Sequence, residues 1–256
     1  MIMKKLLLAL IIPIYLLSGI SLASEKAKMS VTYLPASKAD LRYQDIIKRS
    51  EINQLVQALA ETYFTFNNPL LIKYGSQDGP LYDPNTHTIH IPYSFIVDSI
   101  DYFSQNAYKA ELADSAEQAA VDALLHTLLH EIAHAYIADN GIPILGKEED
   151  AADNFAAIIM LNYIDAGDDA LLNAADLFAL ESEHRPDFYE LGEYIDEHSF
   201  DLQRYFSSLC LVYGSEPEKY PALLNEIEKD YRVDRKSFCI EHFQVITKNW
   251  QGYFAH

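Results

Sequence analysis

The stretch Leu124-Leu125-His126-Thr127-Leu128-Leu129-His130-Glu131-Ile132-Ala133-His134-Ala135-Tyr136 decides the reading of this chain. It is apolar and compatible with a helix, and it places His130 and His134 four residues apart around Glu131. Positions four apart on a helix differ by about 40° around the axis and by about one turn along it, so both imidazoles can reach a single ion. Zinc suits such a pair, because tetrahedral catalytic zinc takes three protein ligands and leaves the fourth position to water. Glu131 projects beside the pair, placed to take the proton from a zinc-bound water as the general base of metal-assisted hydrolysis.

Downstream, Asp139-Asn140-Gly141 with Pro143 just beyond predicts a helix stop, since Asn and Gly accept the left-handed cap conformation and Pro cannot continue a helix. A second helix should open at Glu148-Glu149-Asp150-Ala151-Ala152-Asp153, its acidic first turn matching the positive end of the helix dipole. Glu149 and Asp153 share a face. Glu149 can complete a His/His/Glu metal set, and Asp153 can accept the remaining N–H of a ligating imidazole and fix its tautomer. Glu148 points about 100° away from them and is the weaker ligand candidate. His126 stands one turn before His130, so a three-histidine set along this helix is a geometric alternative, with a packed histidine as the plainer reading. The pattern HExxHxxGxxH is excluded, because Ile137 and Asn140 occupy its last two positions.

The whole chain has 256 residues, long enough for a substantial core. Half of it is hydrophobic and 12% aromatic, which excludes wholesale disorder. Nineteen Lys and Arg against 38 Asp and Glu give a formal charge of −19, which argues against a nucleic-acid or anionic-lipid partner. Residues 42–66 carry apolar positions at three- and four-residue steps and read as one amphipathic helix. Short strands are expected at 70–74 and 86–91, with a Gly/Pro/Asp/Asn-rich loop over 75–85 between them. His87 and His90 in the second strand read as hydrogen-bonded or exposed rather than as ligands. Helices are expected at 95–105, 115–138, 148–164, 168–180, 188–193, 200–213, 221–229 and 241–254. The fold class that follows is α+β and mostly α, with a small N-terminal sheet.

Residues 1–23 combine a basic start, an apolar run and a small-x-small end at Ser21-Leu22-Ala23, which reads as a secretory signal; the alternative is an uncleaved anchor. Residues 24–41 read as a lead-in or linker, and 42–256 as one domain. No stable membrane association is expected once the signal is cleaved. Cys210 and Cys239 are the two cysteines, and in an exported chain they are expected to form a disulfide.

The run Leu129-His-Glu-Ile-Ala-His-Ala, with Pro143 to Asp153, Asp196 to Tyr205 and Leu209 to Ser215, resembles a family of bacterial exported proteins grouped as metallopeptidases of otherwise unknown function. The Glu149/Asp153 spacing is also similar to that of the glutamate-zincin clan. That resemblance implies a zincin-like fold around an active-site helix, with Glu149 as third metal ligand and Asp153 as partner of His130. It also implies a His, Tyr or Arg donor that stabilises the oxyanion. The polar cluster Tyr194, Asp196, Glu197, His198 and Arg204 is the nearest source, and His198 is favoured as the second catalytic residue.

Together these readings give an exported zinc peptidase, periplasmic or secreted, acting on a peptide or protein substrate. The strand at 86–91 is expected to line the cleft and hold an extended peptide by strand addition. The rival is a non-catalytic zinc-binding exported protein that uses the same fold to bind a partner.

Overall fold

A computed structural model describes residues 28–106, 115–183 and 188–254. The expected signal at 1–23 lies outside the described residues.

Strands β1 (Met29–Tyr33), β2 (Leu70–Tyr74), β3 (Leu81–Asp83) and β4 (Thr88–Ile91) form one mixed sheet in the order β1-β2-β4-β3. The first two pair in parallel, as do β2 and β4, while β3 runs antiparallel along the outer edge of β4. Alternate residues of β2, namely Leu70, Ile72 and Tyr74, are buried, and so are Ile89 and Ile91 of β4. This is the period-2 pattern of strands packed against a core. The segment read as a lead-in therefore contains a strand. Met29, Val31 and Tyr33 rest on the core, with the Tyr33 ring stacked 5.1 Å from that of Tyr74.

The crossover from β1 to β2 holds two helices, α1 (Leu41–Arg49) and α2 (Ile52–Thr62), where a single helix was expected. The Ser50 hydroxyl donates to the Ile47 carbonyl, and Glu51 takes a left-handed backbone with φ of 59°, which ends α1. The third strand was also unforeseen. It is three residues long, lies between Pro80 and Pro84, and is ordered by pairing with β4.

Helices α3 (Tyr93–Gln105), α4 (Ala116–Asn140), α5 (Glu148–Tyr163), α6 (Gly167–Glu183), α7 (Asp201–Ser215) and α8 (Lys229–Gln251) make up the rest, with a 3-10 turn at Glu193–Ile195. The protein is thus α+β and mostly helical. Expected helices at 188–193 and 221–229 are absent as such. In the second, amides bond three residues back, Asn225 to Ala222 and Ile227 to Leu224, while the Arg232 guanidinium donates to the carbonyls of Asn225 and Ile227. Those carbonyls are satisfied by a side chain, so the segment closes as turns and α8 begins at Lys229, earlier than expected.

The central element is α4. Ser115 caps its start by accepting from the Gln118 amide, and Gly141 ends it with φ of 59°. Buried residues occupy all its sides, as expected for a helix surrounded by packing partners, here α3, α5, α6 and the β3/β4 edge. A polar HExxH face inside such a helix is costly unless its groups are paired.

Cys210 of α7 and Cys239 of α8 form the expected disulfide. The helices touch closely beside it: a Cβ on Gly214 would come 2.2 Å from the Cys239 carbonyl oxygen. Closing a loop of 29 residues contributes about 3–4 kcal/mol on the chain-entropy account. Replacing both cysteines with Ala should lower the free energy of urea unfolding by that amount, and an unchanged unfolding midpoint would refute the estimate. No helix among the described residues is long and apolar enough to cross a membrane.

Candidate metal centre

Two antiparallel helices build the site. His130 and His134 project from α4, and α5 brings Glu148, Glu149 and Asp153 opposite them after the turn through Gly141. His130 Nε2 lies 3.0 Å from Glu149 Oε2 and 3.1 Å from His134 Nε2, and His134 Nε2 lies 3.3 Å from the same Glu149 oxygen. The outer nitrogens are held by other carboxylates: His130 Nδ1 donates to Asp153 Oδ1 at 2.7 Å and His134 Nδ1 to Glu148 Oε1 at 2.9 Å. Arg204 of α7 then clamps Asp153 with two hydrogen bonds of 2.8 Å and lies over the Phe178 ring. Such a bidentate pair fixes the carboxylate in direction as well as in charge.

His198 comes from the segment before α7, which is pinned to the start of α5. Lys147 donates to the His198 carbonyl at 3.0 Å, and Ser199 Oγ donates to Asp150 at 2.7 Å. Its imidazole is 54% exposed and places Nε2 2.9 Å from Glu149 Oε2. His130, Glu149 and His198 offer ligand atoms that all lie within 4.8 Å of one another, a group able to hold a metal ion.

The carboxylates around these imidazoles favour their protonated forms. Burial disfavours a charged His130, yet hydrogen bonds to Asp153 and Glu149 outweigh it and push its pKa up to about 9. His134 is raised likewise, burial being outweighed by Glu149 and Glu148. Burial would raise the pKa of Glu149, but bonds from three imidazoles hold it far below the usual carboxylate range. For Asp153 burial is overcome in the same direction, chiefly by Arg204. Glu131 differs. It is buried next to the histidines, and burial raises its pKa against their opposing charges, which moves a carboxylate toward the range where it works as a base near neutrality.

These groups open into a cleft of about 570 Å³, walled on one side by Pro80, Leu81, Tyr82 and Pro84 and on the other by Gly146, Lys147 and Glu197. The expected peptide-holding strand needs correction. β4 is hydrogen-bonded to β2 on one side and to β3 on the other, so it has no edge to offer. The edge facing the cleft belongs to β3, which fell inside the expected loop.

His126 does not join the cluster. It is 1% exposed and packs edge-on against Phe178, and its Nε2 has no hydrogen-bond partner among the described residues. Burial pushes its pKa down to about 4. An unfolded chain binds the proton from about pH 6.5 downward while the fold refuses it until about 4. The residue therefore removes up to about 3 kcal/mol of stability as pH falls through that window. Urea unfolding of His126→Leu should lose less stability than wild type between those pH values, and parallel profiles would contradict this. Sequence reasoning missed the bond from His134 to Glu148, which follows once α5 runs antiparallel to α4. It also missed the grip of Arg204 on Asp153, which no local signal encodes.

An HExxH helix, an antiparallel acidic helix and an open cleft beside a short sheet define a metallopeptidase-like protein with side chains that could hold a metal ion. A family model described as "Putative metallopeptidase" (DUF4344) matches residues 33–254, and the chain belongs to that family. Neither the comparison with curated proteins nor that with solved structures returned a match.

Proposed function

We propose that the protein is an exported zinc-dependent peptidase that cleaves peptide bonds in a peptide or protein substrate. One observation carries this reading: the triangle of His130 Nε2, His134 Nε2 and Glu149 Oε2 has edges of 3.1, 3.0 and 3.3 Å. Ligand atoms bound tetrahedrally at zinc distances are about 3.3 Å apart, so the three atoms need almost no movement to share one ion. Two imidazoles and a carboxylate suit zinc. His134 is assigned as third ligand ahead of His198, because its Nδ1 is held by Glu148 at 2.9 Å and its side chain is 13% exposed, whereas the Nδ1 of His198 lies 3.4 Å from Asp196 and its side chain is 54% exposed.

When bound, zinc supplies Lewis acidity and lowers the pKa of coordinated water. The remaining chemistry belongs to the chain. Glu131 takes the proton of the attacking water on its carboxylate and passes it to the amine nitrogen as the C–N bond breaks. His198, on the exposed side of the cleft, donates to the oxygen that gains negative charge. Asp153 keeps His130 in one tautomer and is itself fixed by Arg204. An extended substrate adds a strand beside β3. Export to the periplasm or medium accords with the disulfide and with the signal read at 1–23.

The test is metal analysis of the purified protein together with cleavage of a quenched fluorogenic peptide library. One zinc per chain is expected, with cleavage that a chelator abolishes and added zinc restores. Absence of stoichiometric zinc after loading would overturn the proposal.

A further inference from the structure

The β3 wall of the cleft carries an arrangement that hydrolysis as described does not use. Strand alternation turns Tyr82 toward the cleft holding His130, Glu131 and His134, while Asp83 lines a separate hollow on the other face. The Tyr82 hydroxyl lies 2.8 Å from His87 Nδ1. His87 has a left-handed backbone with φ of 50°, uncommon for a residue with a side chain, and its ring sits edge-on to both Tyr82 and Phe66. His87 Nε2 is buried, has no hydrogen-bond partner among the described residues and faces Asp139 Oδ1 at 3.9 Å. Asp139, on the last turn of α4, is anchored by the Asn67 amide and by Asn68 Nδ2.

The order of these groups favours one tautomer of His87. A carboxylate facing Nε2 favours the tautomer protonated there, which leaves Nδ1 bare to accept from the tyrosine. Burial, Asp139, Asp83 and Glu148 all raise the Tyr82 pKa, so the phenol retains its proton. With that proton committed to His87, the phenol oxygen keeps only acceptor capacity for anything entering the cleft.

We propose that Tyr82 is a substrate-binding residue whose hydroxyl oxygen, oriented by His87 and Asp139, accepts a hydrogen bond from a peptide N–H that enters the cleft over the face of β3. The inference rests on the peptidase reading of the same cleft and deepens it: the site selects a substrate with an amide N–H at that position over one with an ester oxygen. His87 and Asp139 act as positioning residues.

Two measurements on the zinc-loaded protein test it. Nitrogen-15 NMR of labelled histidines should show His87 protonated on Nε2 with Nδ1 bare, the Nδ1 resonance moving in Tyr82→Phe and the tautomer preference fading in Asp139→Asn. A different His87 tautomer would overturn the orientation. In calorimetry, a tripeptide hydroxamate is compared with two analogues, each having one amide N–H replaced by ester oxygen. One analogue should bind wild type about three- to tenfold more weakly than the parent, and that difference should vanish in Tyr82→Phe. A merely structural tyrosine would weaken parent and analogues alike. Hydroxamate binding with no such difference sinks the Tyr82 contact alone, whereas no hydroxamate binding at all overturns the contact and the peptidase reading together.

Discussion

Replacing Glu131 with Gln is expected to lower kcat by about 10²–10⁴-fold, the contribution typical of a positioned acid–base group, while the protein still binds one zinc per chain. The isosteric amide fills the same space but cannot take a proton from water. Stability should move the other way. Burial raises the Glu131 pKa, so at neutral pH the ionised carboxylate is disfavoured in the fold relative to the unfolded chain, and removing its charge should leave Tm of the metal-free protein unchanged or higher. Steady-state kinetics on a library-derived peptide, elemental analysis and a melting curve check the three parts. Undiminished turnover would remove Glu131 from the mechanism. A wild-type protein that binds zinc yet cleaves nothing would leave the non-catalytic binding protein as the better account.

The second large effect concerns the ligand set. His134→Ala and Glu149→Ala should both lose stoichiometric zinc, whereas His198→Ala should keep the metal and lose turnover. The alternative trio of His130, Glu149 and His198 predicts the reverse for the two histidines, so elemental analysis after dialysis decides between them. Asp153→Asn should weaken zinc binding by about 10–100-fold, because an outer partner sets the direction and basicity of the imidazole it holds. An unchanged zinc affinity would show that the His130–Asp153 bond has no part in metal binding.

Much of the site was legible because its spacings are local. Helical periodicity alone brings His130 and His134 to one point, and Gly141 is foreseeable as the left-handed stop of α4. Glu149 and Asp153, four apart in an acidic first turn, were readable as a pair on one face, and the structure puts both within hydrogen-bonding distance of His130. Long-range partners were not legible. Glu148, by its angle the weaker ligand candidate, has another place, against the outer nitrogen of His134, which depends on how α5 packs on α4. Arg204 is 51 residues from Asp153, and only the docking of α7 joins them.

By itself, then, the sequence determined what depends on neighbours within a few residues: an apolar helix with two imidazoles and a carboxylate on one face, its stop, the acidic helix that follows, and a mostly helical chain with a cysteine pair. Tertiary structure alone decided which edge strand lies beside the cleft, since a three-residue strand such as β3 exists only when β4 supplies its hydrogen bonds. It also decided where the 42–66 helix breaks, which carboxylate holds which imidazole, and that Tyr82, His87 and Asp139 meet. The physical reason is the same in each case: local geometry is set by backbone periodicity, whereas burial and pairing between distant segments are settled only when the chain packs.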